Sequence, residues 1–134
     1  MRTILALTVA VAGAALAGPA AFGAGQGGIP TADERVAMHW IEGKQPGQPV
    51  SCIIQRNIRS TKYLGNHTIL YMMNNGIVYR NDPPGGCPGL SSSAALVTRT
   101  PTGQLCSGDI AQVRDYGLNY SGGSCALAQF VPYR

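Results

Sequence analysis

Thr68-Ile69-Leu70-Tyr71-Met72-Met73-Asn74-Asn75-Gly76-Ile77-Val78-Tyr79-Arg80 is the stretch that decides the fold. Two runs rich in β-branched and aromatic residues flank Asn74-Asn75-Gly76. That tripeptide supplies the positive φ a tight hairpin requires, so the pattern predicts strands over 68–73 and 77–80 joined by a reversal. Working outward, Val50 to Arg56, Ala94 to Thr100, Ile110 to Asp115 and Ala126 to Val131 read as further strands. Gly103, Gly108 and Gly122-Gly123 fall in the expected loops between them.

Upstream, the period changes. Val36, Ala37, Trp40 and Ile41 recur at helical spacing, and Thr31 with Glu34 fits a capping box, so Thr31 to Glu42 reads as one short helix with Gly43 just past its end. Trp40, the single tryptophan, is expected to anchor that helix to the sheet. Gln45 to Pro49 reads as a linker. Asn81 to Ser93 is the longest irregular stretch. Its three prolines remove backbone donors, which bars it from a central strand. About six short antiparallel strands and one N-terminal helix predict a mainly β fold, either a small closed or nearly closed barrel or a two-sheet sandwich.

The first 24 residues have a different character. Arg2 is the only charge before Asp33, and Ile4 to Ala17 is apolar or small throughout. A basic start, a short apolar run and Ala15-Leu16-Ala17 have the form of a cleaved secretory signal. Pro19 stands where a lipoprotein site would need its lipid-bearing Cys, so an exported protein that is not a lipoprotein is expected, in the periplasm or outside the cell. The expected organisation is a signal peptide over 1–24, a flexible lead-in, helix and linker over 25–49, and a disulfide-stapled β domain over 50–134. No membrane span is expected after cleavage.

Composition sharpens this reading. The chain is 45% apolar, but without its first 24 residues that share falls to about 39%, and losing Arg2 lowers the net charge from +4 to +3. Charged residues make up 12% of the chain, about half the usual share, which excludes a charge-rich disordered tail or a long coiled coil. Cys52, Cys87, Cys106 and Cys125 all lie beyond the leader, and in an oxidising compartment an even set predicts two disulfides. Four Cys allow three pairings. The nested one, Cys52–Cys125 with Cys87–Cys106, is preferred because it ties the first core strand to the last and clips the central loop. The nearest two Cys are 19 residues apart, far from the close pairs of a zinc knuckle, so neither metal nor cofactor is expected.

Several blocks have a family likeness. Ser51-Cys52-Ile53-Ile54 with Ile58-Arg59-Ser60-Thr61, Thr68-Ile69-Leu70-Tyr71 with Gly76-Ile77-Val78-Tyr79-Arg80-Asn81, Cys87-Pro88-Gly89-Leu90, Leu105-Cys106-Ser107-Gly108-Asp109-Ile110 and Ser124-Cys125-Ala126-Leu127 occur in that order. Together, over roughly residues 50–131, they resemble a family of small exported proteobacterial proteins of unknown function with a Cys-containing β domain. The resemblance implies a bacterial envelope setting and carries no catalytic residue.

The residues themselves offer little reaction chemistry. His67 reads as a turn residue and His39 as an exposed helical one. Beyond the helix the carboxylates are Asp82, Asp109 and Asp115, each expected in a structural role. The cations are the better hint. Arg56, Arg59, Arg80 and Arg99 lie in the strand region with few acids near them in sequence, and a clustered set would bind phosphate, carboxylate or anionic glycan. Tyr63, Tyr71, Tyr79, Tyr116 and Tyr120 are candidates for a recognition face, with half-buried packing the plainer account. A net charge of +3 with no basic run argues against nucleic acid. The expectation is a non-catalytic binding or envelope-structural domain whose partner is an anionic envelope ligand or a protein. The alternative is a small envelope hydrolase, or an inhibitor of one; the enzyme version needs His67, Asp109 and Asp115 to meet in space.

Overall fold

The fold follows from a hairpin whose first strand is covered on both faces. In this computed structural model, which describes residues 29–134, the expected leader and residues 25–28 lie outside the described residues. The chain runs through helix α1 (Ala32–Ile41), β1 (Cys52–Ile54), a 3-10 turn (Gln55–Asn57), β2 (Ile58–Leu64), β3 (Thr68–Met73), β4 (Val78–Asn81), β5 (Ala95–Thr98), β6 (Gln104–Cys106), β7 (Ile110–Asp115), β8 (Tyr120–Ala126) and β9 (Val131–Tyr133).

The β3–β4 hairpin forms as the sequence predicts. Met72 pairs with Val78, Gly76 takes a φ of 83°, and Met73 N–H donates to Ile77 O across the turn. β3 lacks the alternation of a half-exposed strand because both its faces are used. Ile69, Tyr71 and Met73 point into the main core, while Leu70 faces α1 with Met72 packed beside it.

Helix α1 begins where its cap dictates. The Thr31 hydroxyl accepts from Glu34 N–H, and the Glu34 carboxylate accepts from Thr31 N–H at 2.7 Å. The other oxygen of Glu34 accepts from Gly65 N–H at 2.8 Å, so one residue both caps the helix and holds the β2–β3 turn. These bonds, first the Thr31 backbone and then Gly65, hold the Glu34 carboxyl below the usual carboxylate range. Gly43 adopts a left-handed φ of 72° just after the helix. Trp40 and Ile41 pack with Ala37, Leu70 and Val78, the anchoring role expected of Trp40.

The strands form three antiparallel sheets: β2-β3-β4-β9, β5-β7-β8 and the ribbon β1-β6. The main core lies among them, with Ile69 and Tyr71 from the first, Ala111, Val113 and Cys125 from the second, and Ile53 and Leu105 from the third. The mainly β class and the single helix hold. Among the described residues the strand count is nine rather than about six, and no sheet closes into a barrel.

Three strands depart from the sequence reading. β2 carries Arg59, Ser60, Thr61 and Lys62, so its apolar signal is diluted. β6 has three residues and exists only through its pairing with β1. β8 contains Gly122-Gly123, a loop signal that here answers a packing need. A Cβ on Gly122 would lie 2.8 Å from Val113 Cβ, and one on Gly123 would lie 2.9 Å from Pro88 Cβ. Glycine is required because a neighbouring side chain and the Pro-rich segment press against this strand. The expected strand over 126–131 resolves into the end of β8, a buried connection through Leu127 and Phe130, and β9.

The nested disulfide pairing is overturned. The bonds are Cys52–Cys106 and Cys87–Cys125, which interlace along the chain. Register explains the first. Cys52 and Cys106 are direct partners in β1–β6, with Cα atoms 4.0 Å apart. Ser107 N–H donates to Ser51 O one step along, which makes the cysteines a non-hydrogen-bonded pair, the closer of the two antiparallel geometries. Cys125 on β8 instead meets Cys87 on the Pro-rich segment. With sequence separations of 54 and 38, each bond is worth about 4 kcal/mol in the chain-entropy account.

The close approach at β8 sets a test. Gly122→Ala drives a methyl group into Val113 and is expected to lower stability by about 2 kcal/mol, as overpacking does. Urea unfolding of the oxidised protein measures this; an unchanged midpoint would contradict the packing described.

Candidate functional site

Of the four edges of the two larger sheets, two are covered and two face a cleft. The free side of β9 is taken by the linker, where Gln45 and Arg134 exchange backbone hydrogen bonds and Gly47 N–H donates to Pro132 O. The free side of β8 receives the Pro-rich segment, with Gly123 N–H donating to Pro88 O at 3.0 Å. The remaining edge strands, β2 and β5, flank a cleft of about 200 Å³ between the two larger sheets. Ile58, Leu96 and Leu105 supply its apolar walls. Gln55, Thr61, Thr98, Tyr63 and Tyr71 supply its polar groups.

Tyr71 is the distinctive member. It is 4% exposed, its ring packs against Phe130 with centroids 5.8 Å apart, and its hydroxyl has no hydrogen-bond partner among the described residues. Burial pushes the phenol far above its ordinary value, and the neighbouring Tyr63 adds to the effect. Tyr63 is itself raised by burial, opposed by a hydrogen bond from the Leu96 backbone. Among the described residues the fully buried side-chain polar atom without a partner is Thr100 Oγ1, whereas Tyr71 lines the cleft, where its hydroxyl is available to a bound acceptor or donor.

The four candidate arginines divide. Arg56, Arg59 and Arg99 are exposed and form no ion pair among the described residues, and none of them lines the cleft. Arg56 lines an adjoining depression of about 410 Å³ that shares Gln55 with the cleft, while Arg99 lines another, with Asp109 and Gln112. Arg80 stands apart. Its Nε donates to Asp82 at 2.8 Å, and that bond raises the guanidinium further.

The remaining candidates hold the structure together. Asp82 also accepts from the buried Thr68 hydroxyl at 2.5 Å, and Thr68 Oγ1 in turn lies 3.1 Å from His67 Nδ1. Asp109 accepts from Cys106 N–H at 2.7 Å. Asp115 accepts from the Ser93 hydroxyl and from Gly117 and Leu118 N–H, which holds its carboxyl below the usual range, Ser93 contributing most. His67, Asp109 and Asp115 therefore sit in three separate networks, and the grouping an enzyme reading needed does not form. Lys62 pairs with Asp33, and Arg114 bonds Ser121 and Gln112. Tyr79 packs against the core, while Tyr116 and Tyr120 stand out at the β7–β8 turn. Among the described residues no group of three or more His, Cys, Asp or Glu is placed to hold a metal ion.

Sequence reading singled out four arginines, of which only Arg56 lines a depression adjoining the cleft, and missed the cleft itself. Its polar groups come from the 3-10 turn and three strands, β2, β3 and β5, and the one signal available was alternation along β2, where Thr61 and Tyr63 share a face. Comparison with family models, with curated proteins and with solved structures finds no match to this chain.

The pH response of the cleft is checkable. A phenol raised in the folded state adds stability below the ordinary tyrosine value, about 10, and loses it as pH climbs toward the folded value. Absorbance titration is expected to show Tyr71 ionising only as the protein unfolds, with unfolding above pH 10 shifted to higher pH in Tyr71→Phe. A variant that unfolds at the same alkaline pH as the parent would contradict the burial.

Proposed function

We propose that this chain is an exported β domain that binds a small anionic ligand in the cleft between β2 and β5 and performs no chemistry on it. The observation that carries the reading is the buried Tyr71 lining the cleft, with the exposed Arg56 on the adjoining depression that shares Gln55. The cleft volume is below that of drug-sized pockets, about 300–1,000 Å³, so it suits one end of a ligand rather than the whole. That end is a compact, partly apolar group with a hydroxyl or carbonyl to meet Tyr71 and Thr98. A carboxylate or phosphate outside the cleft then meets Arg56, whose fork geometry suits such anions.

The setting of the reading is the periplasm or the exterior, reached through a cleaved leader. Two disulfides support it, as does the resemblance to small exported proteobacterial proteins. Among the described residues no helix is long and apolar enough to cross a membrane. The hydrolase alternative is weakened by the dispersal of His67, Asp109 and Asp115.

The test is an NMR titration of the oxidised protein with a panel of acidic sugars and short carboxylates. Shifts at Tyr63, Tyr71 and Thr98 are expected, with affinity falling about tenfold in Tyr71→Phe, the scale of one lost hydrogen bond. A further loss of that order is expected in Arg56→Ala. No shift at the cleft, or turnover of a panel member, would overturn the reading.

A further inference from the structure

The two disulfides differ in access. Cys87 is fully buried and Cys125 nearly so, whereas Cys52 is exposed and Cys106 half-buried. Cys52 also borders a depression of about 400 Å³ that includes Ile54, Asn57, Met73 and Tyr79, room for an incoming group beside this residue. Thiol–disulfide exchange requires a thiolate to reach a sulfur, so only one of the two bonds is open to attack.

The exposed bond also closes the thinnest part of the fold. β1 and β6 contribute three residues each and pair only with one another. A lone two-stranded ribbon is marginal by itself. Yet this ribbon supplies a wall of the cleft, through Leu105 of β6 and through Gln55, which directly follows β1. Ile53, opposite Leu105, is the ribbon's other buried anchor.

We propose that Cys52–Cys106 is a thiol–disulfide exchange site whose reduction loosens the cleft wall, Cys87–Cys125 being a permanent structural bond. The co-reactant is a dithiol, of the kind carried by a reducing oxidoreductase. Its thiolate attacks Cys52 sulfur, the Cys52–Cys106 bond breaks, and Cys106 leaves as thiolate and takes a proton. The second thiol of the dithiol then displaces Cys52, which is protonated in turn. The protein gains two electrons and two protons, and the dithiol becomes a disulfide. Reduction leaves β1–β6 held by its backbone bonds and the packing of Ile53 and Leu105, and weakens preorganisation of the cleft, a consequence for ligand that rests on the binding role proposed above.

The experiment treats the oxidised full chain with graded dithiothreitol, traps thiols by alkylation, maps them by mass spectrometry and follows backbone hydrogen exchange in the same samples. Cys52 and Cys106 are expected to label at least tenfold faster than Cys87 and Cys125. Exchange over 103–106 is expected to rise at least tenfold at that stage while 121–126 stays protected. Cys52→Ser/Cys106→Ser is expected to fold, keep Cys87–Cys125 and show the same raised exchange. Simultaneous labelling of all four Cys, unaltered exchange over 103–106, or failure of the double variant to fold would overturn the proposal. These readouts use no ligand, so a failed titration with acidic sugars leaves them standing.

Discussion

The Cys87–Cys125 strap is the constraint on which the rest of the structure depends. It fastens the Pro-rich segment 81–94 across the gap between the two larger sheets. On one side Cys87 N–H donates to Asn66 O at the β2–β3 turn, at 2.7 Å; on the other, Gly123 N–H of β8 donates to Pro88 O. Cys87 lies within the main core, and Leu90 and Ala94 follow it there. A segment rich in proline cannot join a sheet, but its fixed backbone suits it to spanning two of them. Glycine at 86, 122 and 123 makes the close contacts possible: a Cβ on Gly86 would lie 2.8 Å from Asn66 O. With the sheets held in this way, β2 and β5 are left as the edges that flank the cleft.

What the sequence disclosed was local, and what it concealed was long-range. The capping box at Thr31 and Glu34 and the Asn-Asn-Gly reversal are settled within a few residues, so both were legible. The disulfide pairing depends on β1 meeting β6, more than fifty residues apart, through a ribbon too short to announce itself. The nested scheme had a sound rationale, tying first strand to last. Here, however, the residues just before β1 and just before β9 meet through backbone bonds, with Val50 and Phe130 exchanging two, and need no sulfur. The glycines of β8 misled because a strand pressed by its neighbours and a flexible loop make the same demand for a missing side chain.

The site was half legible for the same reason. Charge scarcity drew attention to Arg56, Arg59 and Arg99, of which only Arg56 lines a depression adjoining the cleft, and equally to Arg80, which Asp82 occupies. Nothing in the order of residues marks Tyr71 as the phenol buried at a cleft, because its surroundings come from β2, β5 and β6. The acids behave as a charge-poor domain requires. Asp82, Asp109 and Asp115 each accept backbone or hydroxyl donors at turns and strand ends, and so act as staples where salt-bridge networks would otherwise be found.

Non-reducing peptide mapping tests the strap most directly. Digestion without reduction is expected to yield one peptide pair joined through Cys87 and Cys125 and another through Cys52 and Cys106. Recovery of Cys52 joined to Cys125, or of Cys87 joined to Cys106 or to Cys52, would contradict the account of how the sheets are held.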